Sequence, residues 1–162
     1  MKINKEGLNF IAKWEGTGPI RGGKFFVYKD VAGYPTIGHG HLLTRDELSS
    51  GKINIGNSII RYYNGLTKNE VLGLLDQDSD IAENAVNKYT KVSLTQNQFN
   101  ALVSFTFNVG THAFRKSTLL KVLNRGLYNE IPKQLLRWVR AGGRKVRGLI
   151  NRRNGEIKLW NS

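Results

Sequence analysis

The sequence predicts an α+β fold: a small lobe built on a β-hairpin and a larger all-α lobe, joined by one long helix. Three observations carry that prediction. Helix starts of the form Thr-x-x-Glu/Gln occur at Thr44, Thr67 and Thr95, each flanked by apolar residues at the two staple positions (Leu43 and Leu48, Leu66 and Val71, Leu94 and Phe99). From Thr67 the apolar residues Val71, Leu74, Leu75, Ile81, Ala82, Ala85 and Val86 keep helical spacing to about Lys88. At about 1.5 Å per residue, that helix is long enough to join two lobes. Residues 17–43 differ in kind, being rich in glycine and punctuated like a hairpin.

Taken in order, the first helix spans about Lys5 to Glu15, turns Leu8, Ile11 and Ala12 inward, and stops at Gly16. Gly18, Pro19, Gly22 and Gly23 then read as a loop, and Lys24–Lys29 as one strand. Asp30-Val-Ala-Gly33 suits a type I turn, with Asp first and Gly last. The return strand, Tyr34 to His39, contains Pro35 and so should be short or at an edge. After the long helix, one helix runs from Thr95 to near Gly110 and another from Ser117 to near Gly126. A further helix is expected from Asn129, with Pro132 in its first turn, to Ala141 before Gly142-Gly143; the last spans about Leu149 to Trp160. The lobes are expected at residues 1–66 and 67–162, within one catalytic domain.

Composition narrows the function. A chain of 162 residues suits a single domain, and without cysteine there are no disulfides, thiolate metal sites or cysteine nucleophiles. No run is long and apolar enough for a membrane span, and no apolar segment follows the charges of Met1–Glu6, so a secretory signal peptide is not expected. Charge is lopsided. Residues 1–110 hold 12 basic and 10 acidic side chains, residues 111–162 hold 13 and 2, so the last third carries +11 of the net +13. Such asymmetry calls for a polyanionic partner, whether nucleic acid, an acidic membrane face or a wall polymer.

Three residues could do chemistry together. Glu15 closes the first helix beside Trp14, where the helix dipole favours the neutral carboxyl that a general acid needs. Asp30 sits on the hairpin turn, solvated and placed to accept hydrogen bonds, and Thr36 offers a hydroxyl from the return strand. Two carboxyls in opposed environments are what glycoside hydrolysis requires. His39 and His41 form an H-x-H that places both rings on one face of a strand, but with His112 distant no third ligand completes a zinc site, and no metal or cofactor is expected.

Residues 28–44, Tyr-Lys-Asp-Val-Ala-Gly-Tyr-Pro-Thr-Ile-Gly-His-Gly-His-Leu-Leu-Thr, resemble the active-site hairpin of the phage-type lysozymes, the endolysins of glycoside hydrolase family 24. The five-residue gap from Asp30 to Thr36 is kept, and the resemblance continues through Asp76–Asp78, Gln98–Gly110 and, more loosely, Trp138–Arg153. One feature departs: fourteen residues separate Glu15 from Asp30, more than the family carries, with the extra Gly-rich stretch expected to loop out. The resemblance implies a lysozyme-like fold with a cleft between the lobes. It makes Glu15 the general acid, and Asp30 with Thr36 the groups that handle the water. Leu42, Phe107, Asn108 and Ser117 become glycan-binding residues, although Ser117 equally suits a helix N-cap. It also pairs His41 with Asp78 and leaves Trp138 and Trp160 as core aromatics.

The implied activity is hydrolysis of the β-1,4 bond between N-acetylmuramic acid and N-acetylglucosamine in peptidoglycan, causing host lysis. The implied partners are the wall itself and an anionic envelope surface gripped by the basic lobe, where Arg137, Arg140, Arg144, Lys145, Arg147, Arg152 and Arg153 cluster. A monomer and no nucleic acid are expected, with residence in the host cytoplasm until the membrane is permeabilised. Two rivals stand beside this reading: a lytic transglycosylase, which needs Glu15 but not the Asp30–Thr36 pair, and a basic polyanion-binding module without catalysis.

Overall fold

The computed structural model describes residues 1–162. By packing, the chain divides into two compact units, Leu8–Asp78 and Met1–Gly7 with Ser79–Ser162. That division falls inside the long helix, which differs from a boundary after residue 66, and the first seven residues join the second unit.

The first unit takes most of α1 (Lys5–Trp14) and three of the four small sheets. The expected loop and single strand at 17–29 are replaced by two structures. β1 (Ile20–Arg21) pairs with β2 (Lys24–Phe25) around Gly22-Gly23, and β3 (Tyr28–Lys29) begins a separate three-stranded sheet with β4 (Pro35–Ile37) and β5 (His41–Leu42). The chain cannot run straight from 24 to 29, because Phe25 exchanges backbone hydrogen bonds with Leu66 at 2.8 and 2.9 Å while Tyr28 pairs with Thr36. Asp30–Gly33 forms the expected turn, closed by Gly33 N–H to Asp30 C=O at 2.9 Å. Helix α2 (Arg45–Ser50) begins with a full capping box at Thr44. A hairpin absent from the sequence reading follows, β6 (Lys52–Ile55) with β7 (Ser58–Arg61). Phe25, Ile37, Leu43, Ile53, Tyr62, Leu66, Val71 and Leu74 form the core, each contributing roughly 1.5–3 kcal/mol by burial.

Helix α3 (Lys68–Tyr89) starts where expected. Thr67 Oγ1 accepts the Glu70 N–H at 3.2 Å and Glu70 Oε1 accepts the Thr67 N–H at 2.8 Å. In the second unit, α4 (Gln96–Val109) repeats that box at Thr95 and packs its buried face against α8 (Arg147–Trp160). Two short helices, α5 (Thr111–Lys116) and α6 (Thr118–Asn124), lie next in the chain. The helix expected from Asn129 to Ala141 is a correction: a 3-10 turn at Tyr128–Glu130 leads into α7 (Ile131–Leu135), which ends early. Beyond it β8 (Arg140–Ala141) and β9 (Arg144–Lys145) fold back around Gly142-Gly143 as an exposed hairpin. Two glycines with positive φ make a tight reversal cheaper than a helix end. Trp160 is buried, stacked with Tyr128 at 6.4 Å, whereas Trp138 is only half-buried, edge-on to Phe105.

Candidate active site

In the Leu8–Asp78 unit, a cavity of about 440 Å³ is lined by Glu15, Gly16, Tyr28, Lys29, Asp30, Val31, Thr36, Gly40 and Leu42. Glu15 stands one residue past α1, its N–H on Ile11 C=O at 3.3 Å, so the helix end aims its side chain into this space. Its Oε2 lies 3.3 Å from where a Cβ on Gly40 would stand. The β3–β4–β5 sheet supplies the opposite wall. Thr36 pairs with Tyr28 on one side and Leu42 on the other.

Asp30 is held more firmly than a solvated turn residue. Its Oδ1 accepts the Ala32 and Tyr34 amides, both at 2.9 Å, which leaves Oδ2 outside the turn's hydrogen bonding. Thr36 is buried and donates its hydroxyl proton to Tyr34 C=O at 2.9 Å, so towards the cavity that oxygen can only accept. Leu42, 53% exposed, gives the sheet an apolar edge.

The structure thus brings Glu15, Asp30, Thr36 and Leu42 to one cavity, while Phe107, Asn108 and Ser117 belong to the other unit and line no part of it. Asn108 accepts a hydrogen bond from Arg153 Nη2 and borders a separate cavity of about 400 Å³ with Trp138, Arg137 and Arg140. Phe107 is half-buried on α4. Of the two roles open to Ser117, the structure shows the N-cap. The residue is buried, accepts the Leu120 N–H at 3.0 Å as N-cap of α6, and donates to Phe114 C=O at 2.7 Å, so its hydroxyl hydrogen is committed to the helix start.

The two histidines do not share a strand face, because His39 lies within the Gly38–Gly40 turn while His41 begins β5. His39 meets Phe25 edge-on at 5.8 Å. Burial lowers its pKa, opposed by a hydrogen bond to Gly16 C=O and the nearby charge of Glu15. His41 turns to Asp78, as expected, with Nδ1 2.9 Å from Oδ2, and also to Glu47, with Nε2 2.9 Å from Oε2. Burial alone would depress its pKa, yet the hydrogen bonds to Asp78 and Glu47 overcome that and raise it to about 8.

The basic cluster also changes. Arg137, Arg140, Arg144, Lys145 and Arg147 are exposed, but Arg152 and Arg153 are buried. Arg153 Nε lies 3.2 Å from Glu156 Oε2, and Arg152 Nε lies 3.4 Å from Oε1 of the same carboxylate. Ser104 on α4 donates to Glu156 Oε1 at 2.8 Å. Those two arginines tie α8 to α4 and are removed from the surface patch.

Tyr28 and Gly40 are cavity residues that the sequence reading passed over. Tyr28 was within reach, since the register across the Asp30–Gly33 turn sets it opposite Thr36.

A helix end facing a small antiparallel sheet, with two carboxyls and a hydroxyl on one cavity, defines the lysozyme-like class of α+β proteins. Comparison with known proteins narrows the class. The phage lysozyme family model matches residues 14–156, and the chain belongs to that family. It is 37% identical over 164 residues to the endolysin of Bacillus phage PZA, covering 100% of this chain and 56% of that protein, so it spans about half the length of that relative. It is 39% identical to the SAR-endolysin of Escherichia phage Mu over 137 residues, covering 85% of this chain and 71% of the relative. A crystal structure of a P22 lysozyme mutant superposes with a TM-score of 0.80 at 32% identity, covering 100% of this chain and 99% of that one.

Proposed function

We propose that this protein is a peptidoglycan-hydrolysing endolysin, a lysozyme that cleaves the β-1,4 bond between N-acetylmuramic acid and N-acetylglucosamine. The observation that carries the reading is the convergence of Glu15, Asp30 and Thr36 on one cavity from a helix end, a hairpin turn and a strand. Membership of the phage lysozyme family, with endolysins among the relatives, supports it.

In the proposed reaction Glu15 donates its proton to the glycosidic oxygen as the bond breaks. A water on the opposite face of the sugar gives its proton to Asp30 Oδ2, while Oδ1 stays fixed on the Ala32 and Tyr34 amides. Thr36 Oγ1 accepts the second hydrogen of that water, because its own hydrogen is committed to Tyr34 C=O. Two groups that both accept from one water orient its lone pair at the anomeric carbon. Inversion follows, with the working carboxyls roughly 6.5–9.5 Å apart. Leu42 offers an apolar surface to a sugar face. Phe107 and Asn108 are proposed as glycan contacts from the second unit, and the exposed cations at Arg137–Arg147 as the hold on an anionic envelope surface. Host lysis is the proposed outcome, with action on the wall once the membrane is breached; no helix of the chain is long and apolar enough to cross a membrane.

The test is mass spectrometry of muropeptides released from purified peptidoglycan by wild type, Glu15→Gln and Asp30→Asn. Reducing muramic ends are expected from wild type; anhydro ends would instead identify a transglycosylase. Glu15→Gln should abolish release. Asp30→Asn should lower it at least about a hundredfold with the fold retained, since an Asn Oδ1 accepts the same two turn amides. A near wild-type rate for Asp30→Asn would end the two-carboxylate reading.

A further inference from the structure

The fourteen residues between Glu15 and Asp30 raise a problem that the proposed reaction leaves unsolved. So long a connection cannot by itself hold the acid opposite its partner. The excess is taken up by β1 and β2, anchored at Phe25 to Leu66 and by Phe26 N–H to Pro19 C=O at 3.1 Å. Those bonds fix the far side of the insert. They stop short of its root at Gly16–Gly18, next to Glu15, where His39 of the Gly38–Gly40 turn holds Gly16 C=O from one side.

Tyr28 meets the root as well. A Cβ on Gly16 would stand 3.3 Å from the Tyr28 Oη, and a Cβ on Gly18, where φ is +64°, would collide with the Tyr28 ring. On its other side the phenol donates to Gly38 C=O across a long 3.5 Å and receives the Gly40 amide. The Glu15 carboxyl adjoins both segments, preceding Gly16 in the chain and resting against Gly40 in space. Burial, and after it the negative charge of Glu15, raise the phenol above its ordinary pKa of 10.0, so the group remains a neutral hydrogen-bond donor.

We propose that Tyr28 is a positioning residue: its ring packs on the root of the inserted hairpin while its hydroxyl bonds the Gly38–Gly40 turn, and together these hold the Glu15 carboxyl towards Asp30 and Thr36. This rests on the assignment of Glu15 as the acid. The part of the hydroxyl is separable, since phenylalanine would keep the ring against Gly18 and lose only the link to the turn.

The experiment compares wild type, Tyr28→Phe and Glu15→Gln on purified peptidoglycan, measuring kcat, KM and the thermal midpoint of each. For Tyr28→Phe, kcat should fall about ten- to a hundredfold, as expected when a reacting group is misplaced by a fraction of an ångström. Its KM should stay within about twofold and its thermal midpoint within about 2 °C of wild type, the latter matching less than about 1 kcal/mol. A wild-type kcat in Tyr28→Phe beside an inactive Glu15→Gln would overturn the role of Tyr28 alone. A loss carried by KM, or by a lowered midpoint, would make Tyr28 a binding or packing residue and overturn the proposal too. An active Glu15→Gln would overturn the acid assignment, and the role of Tyr28 with it.

Discussion

Gly40 illustrates how little tolerance the cavity has at the level of single residues. Its φ is +81°, a region costly for any residue with a side chain, and a Cβ would press against Glu15 Oε2 at 3.3 Å. Gly40→Ala should therefore cost about 1–2 kcal/mol of stability and reduce kcat by at least about tenfold. Urea denaturation and wall-lysis rates measure the two effects separately; an unchanged rate would show that Glu15 does not depend on that clearance. Asp30 and Thr36 could be named from the sequence as a turn carboxylate and a strand hydroxyl, and the family resemblance gave them their expected roles. The hydrogen bonding that restricts each was not legible there. Which Asp30 oxygen is spent on the turn, and whether Thr36 donates or accepts, depends on backbone groups at Ala32 and Tyr34 that only the folded turn presents.

Among elements, the junction of β5, α2 and α3 is the most pH-sensitive. His41 on β5 lies between Asp78 of α3 and Glu47 of α2. Glu47 is also the N3 residue of the Thr44 capping box, so one carboxylate caps a helix and holds an imidazole. The folded pKa of about 8 exceeds the ordinary 6.5, so the contribution of His41 is fully present below pH 6.5 and is lost as pH rises through 8. The shift corresponds to about 2 kcal/mol. Unfolding free energies of wild type should fall by that amount between about pH 6 and pH 9, and those of His41→Gln should show no such fall. Equal pH profiles for the two proteins would refute the linkage. The sequence pointed to Asp78 through the family resemblance; Glu47 was hidden because its capping role already accounted for it.

At the scale of the whole molecule, charge is the dominant feature. The last third carries +11, yet Arg152 and Arg153 are spent inside the second unit on Glu156. Burial pushes the Glu156 carboxyl pKa up, opposed chiefly by Arg153 and Arg152, as expected of a charge cluster sealed between α4 and α8. Of the cluster at 137–153, what remains outside is the β8–β9 hairpin and its flanks, with Arg137, Arg140, Arg144, Lys145 and Arg147 all exposed. Exposed charges act over a Debye length of about 8 Å at physiological salt. Wall binding and lysis should weaken as salt rises, while cleavage of a short neutral chitooligosaccharide should barely respond. Replacing Arg144, Lys145 and Arg147 together by glutamine should flatten the salt dependence and leave the oligosaccharide rate alone. Matching salt curves for the variant and wild type would reduce the patch to solvated surface.

The sequence by itself determined the features that close within a few residues. The boxes at Thr44, Thr67 and Thr95 and the turn at Asp30–Gly33 are all local, because donor and acceptor lie at most four positions apart. Tertiary structure decided everything whose partner is remote. Leu66 splits the run from Lys24 to Lys29 by bonding Phe25 while Thr36 takes Tyr28. The capping of α6 engages the Ser117 hydroxyl, and Ser104 and Glu156 draw two arginines out of an apparent surface cluster. A side chain's type sets which bonds it can form. Which it does form depends on desolvation, since a buried polar group must find a partner wherever the fold places one.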